Sequence, residues 1–124
     1  MIRSAARRFW GFFGKSYNDV RPDAARSILA AGGVLVDVRT RAEWNNGHAP
    51  EAIHIPLEAV GRRDSGLTQG TPIVAVCQSG HRSAVAARML AARGHTVSSL
   101  TGGMPAWIAA GNPVVRSQGK DNAS

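Results

Sequence analysis

Ile73-Val74-Ala75-Val76-Cys77-Gln78-Ser79-Gly80-His81-Arg82-Ser83 is the stretch that decides the fold. Its first four residues are all apolar. A short unbroken apolar run is expected of a strand buried on both faces, as in a parallel sheet. The run leads directly into Cys77, and the next residues are small or polar. A helix is expected from near Arg82 or Ser83 to Arg93. Val85, Ala86, Met89 and Leu90 recur at helical spacing and form its apolar face. Arg88 and Arg93 sit toward its C-terminal end, where cations are favoured, and Gly94 closes it.

Outward from this unit, strands and helices alternate. Residues 34–38 form a second, nearly continuous apolar run. Residues 17–20 read as a short first strand, 52–55 as a strand stopped by Pro56, and 97–100 as the last strand. Pro22 suits the first turn of a helix, with Asp23 well placed for the helix dipole. Ala25, Ile28 and Leu29 form that helix's apolar face, and Gly32-Gly33 end it. Residues 42–45 suggest a short helix broken at Gly47, and 57–62 one or two helical turns. Residues 63–71 read as a polar loop. After Gly102-Gly103 a closing helix spans 104–110. This alternation predicts an α/β domain with a parallel sheet and helices on both faces. Ligands of such sheets bind at the C-terminal ends of the strands, and Cys77 falls at such an end.

At 124 residues the chain fits one domain with a real core and no need of disulfide staples. The expected organisation is a basic, aromatic extension over 1–15, a domain over 16–115 and a frayed tail over 116–124. With one cysteine, no internal disulfide can form. His48, His54, His81 and His95 are scattered without ligand spacing, so no metal and no cofactor are expected. A single thiol beside basic residues reads as a nucleophile in a reducing, cytoplasmic setting.

The formal net charge is +7. Arg3, Arg7, Arg8 and Lys15 fall in the first fifteen residues with no acid among them. The remainder is mildly positive, which steers anionic substrates inward. No recognition helix or RNA-binding aromatic motif accompanies the charge, so no nucleic-acid partner is expected. No apolar run approaches the ~20 residues that span a membrane. Residues 1–15 combine arginines with Phe9-Trp10-Gly11-Phe12-Phe13. They read as an extension packed on the domain, or as a weak peripheral membrane contact.

The chemistry concentrates in Gln78, Ser79, Gly80, His81, Arg82 and Ser83, which link the strand to the helix. N–H groups at a helix start lack intrahelical partners and point toward anions. A tight loop adds more inward N–H groups. Gly80 lets the backbone bend where a side chain would obstruct it. A thiolate at the mouth of this loop has a lowered pKa. Arg82, and His81 when protonated, add positive charge. The opposing interpretation of Cys77 is an inert core thiol. The polar residues after it argue for a functional one.

Cys77-x-x-Gly80-x-Arg82-Ser83 resembles the active-site loop of the rhodanese family. Asp37-Val38-Arg39, Glu43-Trp44, Gly47-His48 and Ala52-Ile53-His54-Ile55-Pro56-Leu57 resemble its N-terminal signature. Gly102-Gly103-Met104-Pro105-Ala106-Trp107 resembles its C-terminal one. The resemblance implies a three-layer fold with a central parallel sheet of about five strands. It also implies a sulfurtransferase in which Cys77 carries sulfur as a persulfide. Donors would be thiosulfate or a persulfide such as that of a cysteine desulfurase. Acceptors would be cyanide or a thiol, thioredoxin among them. Four residues separate Cys77 from Arg82. Related dual-specificity phosphatases and arsenate reductases place five there, and a larger loop can wrap a tetrahedral oxyanion. A docking module is the other alternative, and retention of Cys77 argues against it.

Two readings of Arg82 stand open: it binds the anionic donor, the favoured one, or it braces the loop through a hydrogen bond to a carbonyl or carboxylate. Asp37 and Arg39 are expected to hold neighbouring loops by paired hydrogen bonds, with Glu43 joining them. His48 is assigned to loop carbonyls, and His54 and His95 to the surface or an edge. Trp44 and Trp107 read as core aromatics.

Overall fold

A computed structural model describes residues 16–62 and 66–117. Five strands, β1 (Asn18–Val20), β2 (Val34–Asp37), β3 (Ile53–His54), β4 (Ile73–Val76) and β5 (Val97–Leu100), form one sheet in the order β1-β5-β4-β2-β3. Every pairing is parallel. The connecting helices are α1 (Pro22–Ala30), α2 (Arg41–Asn45), α3 (Leu57–Val60), α4 (His81–Ala92) and α5 (Gly103–Ala109). The expected α/β three-layer architecture is what the chain adopts.

The two faces of the sheet explain why the strands are apolar without alternation. Val36, Ile73 and Val97 pack with Val60, Ala86, Ala87 and Leu90 of α3 and α4. Leu35, Val74, Val76 and Leu100 pack on the other face with Ala25 of α1 and with Met104 and Trp107 of α5. Each central strand therefore buries both sets of side chains. Burying one such Val, Leu or Ile side chain contributes about 1.5–3 kcal/mol.

Local sequence decides the helix ends. Pro22 opens α1, and Asp23 sits in its first turn. α2 is held by a capping box, in which Thr40 Oγ1 accepts from the Glu43 N–H and the Glu43 carboxylate accepts from the Thr40 N–H. Strand β3 is shorter than the sequence suggests, pairing with β2 only at Val36–Ile53 and Asp37–His54. Val85, expected on the apolar face of α4, is instead exposed. The buried stripe of α4 is Ser83, Ala86, Ala87 and Leu90, rotated from the predicted one. Val115 bridges to His48, and the Ser117 N–H donates to the Asn45 carbonyl. The expectations for residues 1–15 lie outside the described residues, as does most of the 116–124 tail. Among the described residues, no helix is long and apolar enough to cross a membrane.

The strand order places the site. From β2 the chain moves to β3 on one side, whereas from β4 it moves to β5 on the other. The crevice of an open parallel sheet opens where neighbouring strands lead away in opposite directions, beyond their C-terminal ends. Here that point lies between β2 and β4. Asp37 ends one strand and Cys77 follows the other.

Candidate active site

Cys77 directly follows β4 and is fully buried. The Gly80 N–H donates to its Sγ at 3.0 Å, and the thiol donates to Ser83 Oγ at 3.6 Å. The loop can fold back on the sulfur because Gly80 adopts φ 109° as the cap of α4. A Cβ at Gly80 would meet nothing closer than 3.8 Å. Gly80 is thus needed for its left-handed torsion and not, as the sequence suggested, to avoid obstruction. No side chain caps α4, so no cap oxygen accepts from the N–H groups of its first turn.

A second glycine supports the loop from behind. Gly103 has φ 61°, and a Cβ there would collide with the Gln78 carbonyl. The Met104 N–H donates to the Cys77 carbonyl at 3.0 Å. The start of α5 therefore presses its backbone against the sulfur-bearing turn.

Burial pushes the Cys77 thiol up. The Ser83 side chain and the N–H groups of Ser83, Gly80 and Ser79 pull it down and prevail, so the thiol lies below its ordinary value. The arginines contribute less charge than their number suggests. Arg82 forks onto Glu43 through two hydrogen bonds, at 2.7 and 2.9 Å. Arg39 forks onto the fully buried Asp37. Both guanidinium groups are thus largely compensated. Support for a sulfur anion falls on backbone N–H groups and a hydroxyl.

The pairing corrects one expectation and bears on another. Glu43 does not join Asp37 and Arg39; it sits on α2 opposite Arg82. Arg82 is engaged with Glu43 as a brace between α4 and α2, the arrangement of the second of its two readings. The fork holds the Glu43 carboxyl at about 2, chiefly through the Arg82 hydrogen bond. Arg39 also donates to the Gly47 carbonyl at 2.7 Å and to Gln78 Oε1 at 3.2 Å. It thereby links the loop after α2 to the sulfur-bearing turn. Exposed His81 has Nδ1 3.2 Å from Ser79 Oγ on the outer rim.

The remaining candidates sort by geometry. His48 Nδ1 lies 2.9 Å from the Trp44 carbonyl, and its ring stacks on Trp44 at 3.5 Å. His54, on the edge strand, stacks on Trp44 at 4.7 Å, with Nε2 2.7 Å from the Arg39 carbonyl. Trp44 is therefore a half-buried stacking partner of two histidines beside the site, not a core residue. Trp107 is in the core. His95, expected at the surface or an edge, is buried. After Gly94 the chain doubles back, and the His95 N–H donates to the Leu90 carbonyl. Two residues of the site were missed in the sequence. Thr40 was findable, because Thr-x-x-Glu before a helix is a capping-box signature. Ser99, whose Oγ lies 2.8 Å from Ser83 Oγ, carried no local signal.

Similarity to known proteins shows the family. The family model of the rhodanese-like domain matches residues 21–110. A sulfurtransferase of Allochromatium vinosum is 37% identical over 87 residues, covering 69% of this chain and 81% of that protein. The thiosulfate sulfurtransferase GlpE of Pseudomonas savastanoi pv. phaseolicola is 30% identical over 94 residues, covering 75% and 89% respectively. A solved rhodanese-related protein from Thermoplasma volcanium superposes with a TM-score of 0.74 at 26% identity, covering 82% of this chain and all of that one. With the matched region spanning all five helices and four of the five strands, the chain belongs to the rhodanese-like domain family, whose relatives here include sulfurtransferases.

Proposed function

We propose that this protein is a sulfurtransferase that moves sulfane sulfur through a persulfide on Cys77. The observation that carries this reading is the setting of the Cys77 sulfur. It is buried at a strand end, accepts the Gly80 N–H at 3.0 Å and has its ionisation favoured by its own loop. A lowered pKa enlarges the thiolate fraction, and the thiolate is the form that attacks.

The reaction is a double displacement. The Cys77 thiolate attacks the outer sulfur of thiosulfate. The sulfur–sulfur bond of thiosulfate breaks, and sulfite leaves with the bonding pair. Cys77 then holds a persulfide anion, and the N–H groups of Ser79, Gly80 and Ser83 stabilise its charge. Cyanide attacks the terminal sulfur, thiocyanate leaves, and the thiolate returns. A thiol acceptor would take the same sulfur as its own persulfide. A cysteine-desulfurase persulfide is an alternative donor and thioredoxin a candidate acceptor, in a reducing compartment such as the cytoplasm. The four-residue gap between Cys77 and Arg82 favours one sulfur atom over a tetrahedral oxyanion.

Intact-mass measurement tests the proposal. Incubation with thiosulfate should add one sulfur, about 32 Da, removable by cyanide or dithiothreitol. Cys77→Ser should gain nothing and turn over no thiosulfate. A wild-type chain with a titratable thiol and no mass gain from thiosulfate or a persulfide donor would point instead to a docking role. Full turnover by Cys77→Ser would overturn the assignment.

A further inference from the structure

Buried serines in the centre of a parallel sheet call for an explanation. Strand β5 reads Val-Ser-Ser-Leu, and all four residues are buried. Ser99 is 2% exposed and shares with Val97 the sheet face that packs against α4. A hydroxyl there needs a partner, because an unsatisfied buried polar group costs about 1–3 kcal/mol. Its partner is Ser83 Oγ at 2.8 Å.

Ser83 is where the hydrogen count matters. Its hydroxyl has one proton and three neighbours: the Gly80 carbonyl at 3.1 Å, Ser99 Oγ at 2.8 Å and Cys77 Sγ at 3.6 Å. The Gly80 carbonyl only accepts. While Cys77 is a thiol, its S–H donates to Ser83 Oγ, and the Ser83 proton is free to go to Gly80. Once Cys77 is a thiolate, the sulfur only accepts, and the Ser83 proton is free to turn toward it. Ser83 Oγ then has a vacant lone pair, and the Ser99 O–H is placed to fill it.

We propose that Ser99 is a positioning residue, whose hydroxyl donates to Ser83 Oγ and thereby turns the Ser83 proton onto the sulfur of Cys77. The assignment rests on Cys77 being the reactive thiol of the proposed reaction. Ser99 itself touches neither sulfur nor substrate. The charged groups around the sulfur do not replace this relay. Asp37 pairs with Arg39 from the end of β2, and Glu43 of α2 pairs with Arg82 of α4. His81 stays exposed at the rim. Chained hydrogen bonds polarise one another, so a donor to Ser83 strengthens the bond that Ser83 gives.

An isosteric pair isolates the hydroxyl. Ser99→Thr keeps the O–H, and Ser99→Val has nearly the volume of that threonine without it. Ser99→Ala serves where the larger side chains do not fold. The readout is the rate of Cys77 alkylation by iodoacetamide against pH, with Ser98→Ala as the control on the same strand. Ser99→Val and Ser99→Ala should move the midpoint upward by about one pH unit, about tenfold less thiolate below both midpoints. Ser99→Thr should stay near wild type. In a Ser83→Ala background, Ser99→Ala should add no further shift, since its effect passes through Ser83. A wild-type midpoint in Ser99→Ala, or a further upward shift when Ser99→Ala is added to Ser83→Ala, overturns the relay. Sulfur loading of the wild-type chain, read by mass, reports separately on the persulfide reaction.

Discussion

Replacing Glu43 by glutamine probes the brace between α2 and α4. Glutamine keeps the capping box of α2, because its amide oxygen still accepts from Thr40. The substitution removes the negative end of the fork to Arg82. Its magnitude follows from the carboxyl, which is held at about 2 against an ordinary 4.5. At about 1.4 kcal/mol per pH unit, a fall of that size caps the linkage at about 3 kcal/mol. Two corrections lower it. The Glu43 and Arg82 side chains are 31% and 33% exposed, so solvent screens the pair. Part of the effect also comes from Thr40, whose bonds the glutamine would retain. The expected loss is about 1 kcal/mol at pH 7. The pH dependence has a definite sign. The folded carboxyl titrates below its unfolded value, so the stabilisation is fully present above about 4.5. It fades as pH falls through about 2. Urea unfolding of wild type, Glu43→Gln, Arg82→Gln and the double variant measures the coupling. The two single losses should not add, and the gap between wild type and Glu43→Gln should close in acid. Additive losses, or a gap that persists at low pH, would refute the brace. A thiosulfate KM raised by Arg82→Gln but not by Glu43→Gln would return Arg82 to donor binding.

Other consequences are as direct. The pH profile of Cys77 alkylation should have its midpoint below the roughly 8.5 of a free cysteine, and a midpoint at or above that value would contradict the sulfur's setting. Asp37→Asn breaks a buried ion pair and should cost about 3–5 kcal/mol in urea unfolding; a loss under about 1 kcal/mol would mean that Arg39 finds another partner. Gly103→Ala forces a methyl onto the Gln78 carbonyl. It should cost about 1–3 kcal/mol and slow sulfur loading of Cys77, whereas loading at the wild-type rate would show that the turn yields without harm.

Much of this protein is legible in its order of residues, and the legible part is local. The runs at 34–38 and 73–76 are apolar without alternation, a property of each segment by itself, and both became central strands. The thiol at the end of β4 and the glycine-containing turn into α4 are adjacent in sequence, so their chemistry could be read together. Helix limits were close but not correct. Gly80 starts α4 at His81 because its left-handed torsion ends the loop there, and the buried stripe shifts from Val85 to Ser83, Ala86, Ala87 and Leu90.

Pairings across the fold are a different matter. Glu43 meets Arg82 from 39 residues away, and Ser99 meets Ser83 from 16. Those meetings depend on the strand order β1-β5-β4-β2-β3, which sets β5 on one side of the sulfur-bearing strand and β2 on the other. Composition and spacing carry no term for that order. The sequence by itself determined the parallel α/β architecture, the position of Cys77 at a strand end and the anion-favouring turn after it. The tertiary structure alone decided that both arginines are already paired, and that one hydroxyl and the N–H groups of the turn are left to favour a charge on sulfur.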